Sequence, residues 1–222
     1  KKRSLTVRCS RMCGTACLPM IPDFRSLGLL LALLVLAGCA TTRQSVDLPV
    51  LDSWETRNDV LTNVRDWEFK GRIAVKAGDD GFNGKFNWTQ QDEAFNATVG
   101  GPLGIGTVLI EGDERSVILT DKDGVRTVLK DTEQELRWRY GWTIPVGSLR
   151  YWALGIPDPD VPAAATELDE NGRLVRLEQS GWIVEITRYS EGGGQQMPRI
   201  RAATNPETRV RMVIDRWSFF QR

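Results

Sequence analysis

Few side chains in this sequence can do chemistry at neutral pH. Among 222 residues there is no histidine, and cysteine occurs four times, at Cys9, Cys13, Cys17 and Cys39. Lack of histidine excludes imidazole acid–base catalysis, Ser-His-Asp and Cys-His arrangements, and His-ligated metals. The acids form no catalytic pair: Glu133 and Glu135 fall in Thr132-Glu133-Gln134-Glu135, which reads as a capping box at a helix start, where the dipole favours both. Arg209, Arg211 and Asp215 share one face of a strand by parity and read as a solvated face. No nucleophile has a base nearby, so the expectation is a non-enzyme with no cofactor and no metal. Gly100, Gly101, Gly104 and Gly106 surround Pro102 and Leu103. A phosphate-cradling glycine loop opens a helix, but here a strand follows, so the segment reads as a projecting hairpin loop. Leu103 near its tip has two readings. It folds back onto the sheet, or it is a small apolar probe for a membrane or partner, worth about 1.5–3 kcal/mol when buried.

Cys39 is the cysteine with a context. Leu27–Ala37 is an apolar run of 11 residues preceded by Arg25. It is too short for the ~20 residues of a spanning helix and suits a secretory signal. Leu36-Ala37-Gly38-Cys39 resembles the bacterial lipobox, whose cysteine becomes the lipid-modified first residue of the mature protein. Met20 is the expected translation start, and 1–38 the expected leader. Removing 1–38, which holds six basic groups and one acid, leaves 184 residues with 23 basic and 28 acidic groups. That net negative chain offers no sign of electrostatic capture of nucleic acid or of an anionic surface. It also keeps no free thiol and no disulfide, which excludes zinc fingers and iron–sulfur clusters. In lipoprotein sorting an Asp after the lipid cysteine favours the inner membrane. Ala40 stands there instead, which points to the outer membrane, facing the periplasm.

The elements that must position any site are mostly strands. Residues 40–52 are polar and aperiodic and read as a tether after the anchor (39–52), with 53–222 a single domain. Thirteen tether residues reach at most ~43 Å. Ser53 is a candidate N-cap for a helix over 53–65 carrying Trp54, Val60, Leu61 and Val64. From Trp67 the period becomes two. Trp67, Phe69, Ile73 and Val75 share a face, as do Phe82, Phe86 and Trp88, then Phe95, Ala97 and Val99. Strands follow near 107–111, 115–120 and 125–130. Two short helices come next, the second stopped by Gly155-Ile156-Pro157. Residues 158–165 read as loop. Strands resume near 166–169 and 173–179 across Asn171-Gly172, then at 182–189, 199–204 and 208–219. Gly192-Gly193-Gly194 reads as a flexible loop tip. About eleven antiparallel strands with a helical insert must curl, the helices covering the open mouth or filling the concave face. Eight tryptophans remain beyond residue 38. Core packing accounts for most of them, and a wide apolar cavity for a lipid-like ligand is the alternative use.

Short motifs then run in order along the chain: LAGC and Met20-Ile21-Pro22-Asp23-Phe24-Arg25 in the leader, Gly71-Arg72, Phe86-Asn87-Trp88 with Gln90, and Gly101-Pro102-Leu103-Gly104. Ile144-Pro145, Leu149-Arg150-Tyr151-Trp152-Ala153-Leu154-Gly155-Ile156-Pro157 and Ile214-Asp215-Arg216-Trp217 complete the series. Together they resemble the LolB family, the outer-membrane lipoprotein receptors of Gram-negative bacteria. LRYWALGIP is the most specific block. Gly101 is a departure, at a place where the loop of relatives can carry a polar residue. The resemblance implies a mainly β fold: an incomplete, unclosed antiparallel β-barrel with a helical lid enclosing a hydrophobic cavity, acting as a monomer without catalysis. It implies receipt of acylated lipoproteins from a soluble periplasmic carrier, LolA, and their placement in the inner leaflet of the outer membrane. Cys39 would carry the lipid. Pro102, Leu103 and Gly104 would form the loop that meets outer-membrane lipid. Trp88, Trp152 and Trp182, with Phe86, would line the cavity. A carrier of another small lipophile and a structural envelope lipoprotein with a filled barrel are the alternatives.

Overall fold

The computed structural model describes residues 43–101, 107–113, 116–140 and 145–221. Cys39, Pro102, Leu103 and Gly104 lie outside the described residues. In chain order the elements are β1 (Ser45–Val46), α1 (Trp54–Asn63), β2 (Asp66–Ala77), β3 (Asp80–Gln91), β4 (Ala94–Gly100), β5 (Val108–Gly112), β6 (Val117–Thr120) and β7 (Arg126–Leu129). Then come α2 (Thr132–Tyr140), α3 (Val146–Leu154), β8 (Ala163–Leu168), β9 (Leu174–Gln179), β10 (Trp182–Gly192), β11 (Gln195–Thr204) and β12 (Thr208–Phe220).

All strands join one antiparallel sheet in the order β7-β6-β5-β4-β3-β2-β12-β11-β10-β9-β8, with β1 added on β12. Neighbours in space are neighbours in sequence except at β2–β12, where the first and last long strands meet. β7 and β8 are the two edges of this path, so the sheet is not closed. The chain must pass from one edge to the other, and α2 and α3 are that passage. This topology places the helical insert at the opening between the edges.

Alternation builds the concave face. Trp67, Phe69, Ile73 and Val75 of β2 are buried while Lys70, Arg72 and Lys76 are exposed. Cross-strand registry then assembles an aromatic ladder: Phe69 stands opposite both Trp88 and Trp217, and Trp67 opposite Phe219. Ring centroids lie 5.3 Å apart for Phe69–Trp217, 5.4 Å for Phe69–Phe86 and 4.6 Å for Trp88–Phe95. Such pairs contribute about 0.5–1.5 kcal/mol each beyond area burial. Gly71 interrupts the ladder because β12 bulges beside it: an added Cβ would lie 2.3 Å from the Val213 carbonyl oxygen. The register shift between Ile214 and Arg216 puts Asp215 and Arg216 both outward and keeps Trp217 and Phe219 inward.

Several local expectations shift. Ser53 does cap α1, accepting from the Thr56 N–H at 3.1 Å. The start of α2 is capped one residue earlier than expected. Asp131 Oδ1 accepts from the Gln134 N–H at 3.0 Å, and Glu135 reaches back to the Lys130 N–H at 2.8 Å. β8 begins at Ala163, inside the segment read as loop. Gly192-Gly193-Gly194 is no flexible tip. Gly193 and Gly194 turn tightly at φ 57° and 68°, and a Cβ on any of the three would strike Trp217, Phe219 or Asp47. The reason is docking of the preceding segment: Leu48 N–H donates to the Gly193 carbonyl at 2.8 Å, and Leu51 is buried. Residues 45–51, within the 40–52 segment read as a tether, therefore pack on the sheet through β1, Leu48 and Leu51.

Candidate functional site

The concave face is not filled along its whole length. Where β2–β6 curve under the helices there is a cavity of about 540 Å³. Ile73, Val75 and Phe82 form its floor. Phe86, Trp88, Phe95, Ala97 and Val99 form one wall, and Val108, Ile110 and Leu119 another, while Leu136, Val146 and Leu149 close it from α2 and α3. Its size falls within the ~300–1,000 Å³ of small-molecule sites, and its lining is mostly apolar. Among the described lining residues the polar side chains are Asn83, Asp121, Lys122 and Asp123, all at least partly exposed. Gly100, Gly101 and Val108, which flank 102–106 in the sequence, also line it.

The four expected lining aromatics are distributed unequally. Phe86 and Trp88 face this cavity. Trp88 is held there by its own strand, its Nε1–H donating to Gln90 Oε1 at 3.0 Å while the Gln90 amide donates to the Asp92 carbonyl at 2.8 Å. Trp152 instead lines a void of about 20 Å³ beside Leu149, Arg201 and Met212. Trp182 packs on Trp152 at 6.1 Å and is buried. The pair belongs to the half of the core that seats α3. Sequence reasoning missed the aliphatic lining, though Val99, Ile110 and Leu119 carried the same inward parity as the aromatics.

Two buried polar groups hold α3 in place. Gln179, 1% exposed, makes four hydrogen bonds. Its Oε1 accepts from Trp152 Nε1–H at 2.8 Å and from the Asp158 N–H at 3.0 Å. Its amide donates to the carbonyls of Asp158 at 2.9 Å and Val161 at 2.6 Å. Gln179→Ala strands those partners in the core, where each unmet group costs about 1–3 kcal/mol. We expect a loss of at least ~3 kcal/mol, roughly 6–12 °C in melting temperature for a domain of this size, read by circular dichroism. Arg201 donates to the carbonyls of Trp152 and Ala153 at the end of α3 and lies 5.7 Å from the Phe69 ring centroid. Burial pulls its pKa down to about 9, partly countered by Tyr189.

Next to the apolar cavity, and sharing Trp88, Phe95 and Val146 with it, is a cleft of about 340 Å³ with an acidic lining. Glu93, Asp113, Asp131, Glu133, Asp158 and Asp160 line it beside Arg150, whose Nη1 bonds Glu93 at 2.6 Å. Burial, then Asp131, pushes the Glu133 carboxyl above its usual range. Among the described residues no three potential metal ligands cluster, and no helix is long and apolar enough to cross a membrane. The geometry suits the sequestration of an apolar chain.

The family described as "Outer membrane lipoprotein LolB" matches over residues 65–217. An outer-membrane lipoprotein LolB of Nitrosococcus oceani is 35% identical over 190 residues, covering 85% of this chain and 94% of the relative. The LolB of Alkalilimnicola ehrlichii is 35% identical over 188 residues, with 85% and 94% covered. Among solved structures, a LolA superfamily protein from Nitrosomonas europaea superposes with a TM-score of 0.51 at 8% identity, covering 77% of this chain and 94% of that one. That likeness is one of fold.

Proposed function

The chain belongs to the LolB family of outer-membrane lipoproteins, and from that membership we propose that it receives acylated lipoproteins from the periplasmic carrier LolA and places them in the inner leaflet of the outer membrane. The observation that carries this reading is the apolar cavity of about 540 Å³ under α2 and α3. Cys39 bears the lipid that holds the protein at the outer membrane, facing the periplasm, and the domain acts as a monomer with no catalytic step.

The physical task is to move fatty chains without wetting them. Each methylene is worth about 0.8 kcal/mol, so an intermediate with its chains in water is prohibitive. Two concave sheets apposed at their openings avoid that state, and the shared fold with a LolA superfamily protein supports such an apposition. Direction then needs only a modestly tighter acceptor, because about 1.4 kcal/mol is tenfold. Leu103, which lies between the cavity-lining Gly101 and Val108 in the sequence, is the residue proposed to help chains pass from the cavity to the bilayer.

The test is a two-stage transfer. Carrier loaded with a labelled lipoprotein is mixed with the full-length protein and then with phospholipid vesicles. The label should pass to this protein and then to the vesicles, and a fluorescent fatty-acyl probe should bind the protein alone and be displaced by the lipoprotein. Failure of both the probe and the lipoprotein to bind would sink the reading. Binding of free lipid but not acylated peptide would instead mark a small-lipophile carrier.

A further inference from the structure

The outward face of the central strands carries a concentrated charge that the cavity does not use. Lys70, Arg72 and Lys76 of β2, Lys85 of β3, and Arg209, Arg211 and Arg216 of β12 are all exposed. The registry sets like charges directly opposite each other three times: Lys76 faces Arg209, Lys70 faces Arg216, and Arg72 faces Lys85. Opposed like charges weaken a sheet, so stability does not explain them. The acids at outward positions of these strands are Asp66, buried and paired with Arg43 at 3.0 Å, Glu68, and Asp215, the last 3.1 Å from Arg72. The chain beyond residue 38 has 28 acidic and 23 basic groups, which makes this cationic face an exception to its surroundings. Arg216 is outward only because of the bulge in β12.

The same strand receives the start of the domain. β1 pairs with the end of β12, and Arg43 lies 4.8 Å over the Phe220 ring and 3.0 Å from Asp66. Four residue steps, at most about 14 Å of chain, separate Arg43 from Cys39. At its other side the cationic face reaches the end of β4, since Lys85 is the cross-strand partner of Gly100.

We propose that the outward face of β3, β2 and β12 is a docking surface for anionic phospholipid headgroups, which lays the domain on the bilayer with the concave face turned away. This rests on the anchored reading under Proposed function and adds an orientation to it. A membrane is favoured over an acidic protein as the occupant because the short connection to Cys39 ends on the strand that carries Arg209, Arg211 and Arg216.

The experiment uses the full-length acylated protein in vesicles of phosphatidylethanolamine with or without phosphatidylglycerol. Beyond Cys39 the sequence has no cysteine, so Ala74→Cys, exposed within the patch opposite Arg211, takes a single fluorophore. Val128→Cys on β7 is the remote control. With a quencher at the headgroups, the Ala74 site should be quenched only when phosphatidylglycerol is present, and high salt should release it. Neutralising Lys70, Arg72, Lys85 and Arg211 in turn to glutamine should weaken the docked state about fivefold per charge. The fourfold variant should melt no lower than the parent, since like-charge contacts are being removed. Equal quenching in both vesicle types, or a fourfold variant that docks like the parent, would overturn the proposal. So would shielding of Ala74 that appears only on adding the carrier, which would assign the face to a protein. Acyl-probe binding measured on the same samples separates the two ideas: loss of probe binding with docking intact counts against the cavity reading alone.

Discussion

Ala97→Trp should abolish high-affinity uptake of acyl chains while the protein remains folded. Ala97 is 1% exposed, lies between Trp88 and Ile110 in the registry, and points into the cavity of about 540 Å³. An indole there is accommodated by space that already exists, so the overpacking cost of a filled core, about 1–3 kcal/mol, is an upper bound. The same indole excludes ligand. If it displaces four methylenes of a chain, the loss is about 3 kcal/mol, on the order of 100-fold in affinity. Titration with a fluorescent fatty-acyl probe measures the affinity and thermal unfolding checks the fold. Unchanged affinity in a folded variant would place the acyl site elsewhere.

Leu103→Glu should leave acceptance from the carrier intact and cut delivery to vesicles by at least about tenfold. Removing the leucine forfeits about 1.5–3 kcal/mol of burial in lipid, and the carboxylate adds repulsion from anionic headgroups. Gly101 and Val108, which flank the loop in the sequence, line the cavity. Loaded protein should accumulate when labelled lipoprotein is supplied, with the label failing to reach the vesicles. Normal delivery would show that Leu103 takes no part in release. Paired with Ala97→Trp, the two variants separate holding a chain from handing it on.

How much of this was legible beforehand depends on the range of the interactions involved. Strand identity and facing follow from neighbours two apart, and Trp67, Phe69, Phe86, Trp88 and Ala97 all point where alternation puts them. Ser53 and Gly155 mark helix ends through backbone groups within a few residues. The cap of α2 was displaced by one residue because Asp131 competes with Thr132 for the same N–H groups, and local pattern does not rank them. Gly192–Gly194 was misread because composition alone makes three glycines look mobile. Their rigidity comes from Leu48, far away in sequence, docking on the Gly193 carbonyl.

By itself, the sequence determined the class of chemistry and the material of the fold. Absence of histidine, a cysteine in a stretch that resembles a lipobox, and period-two apolar strands interrupted by a helical insert are properties of residue type and short spacing. Only the tertiary structure decided which aromatics border empty space and which fill it. Trp88 and Trp152 are equally buried in pattern, yet one faces a cavity and the other locks α3 through Gln179. It also decided that Lys70 meets Arg216, since a single bulge in β12 reverses the facing of every later residue. The reason is common to both: volume and charge are shared among several elements at once, so they exist only once the strands are paired and the helices seated.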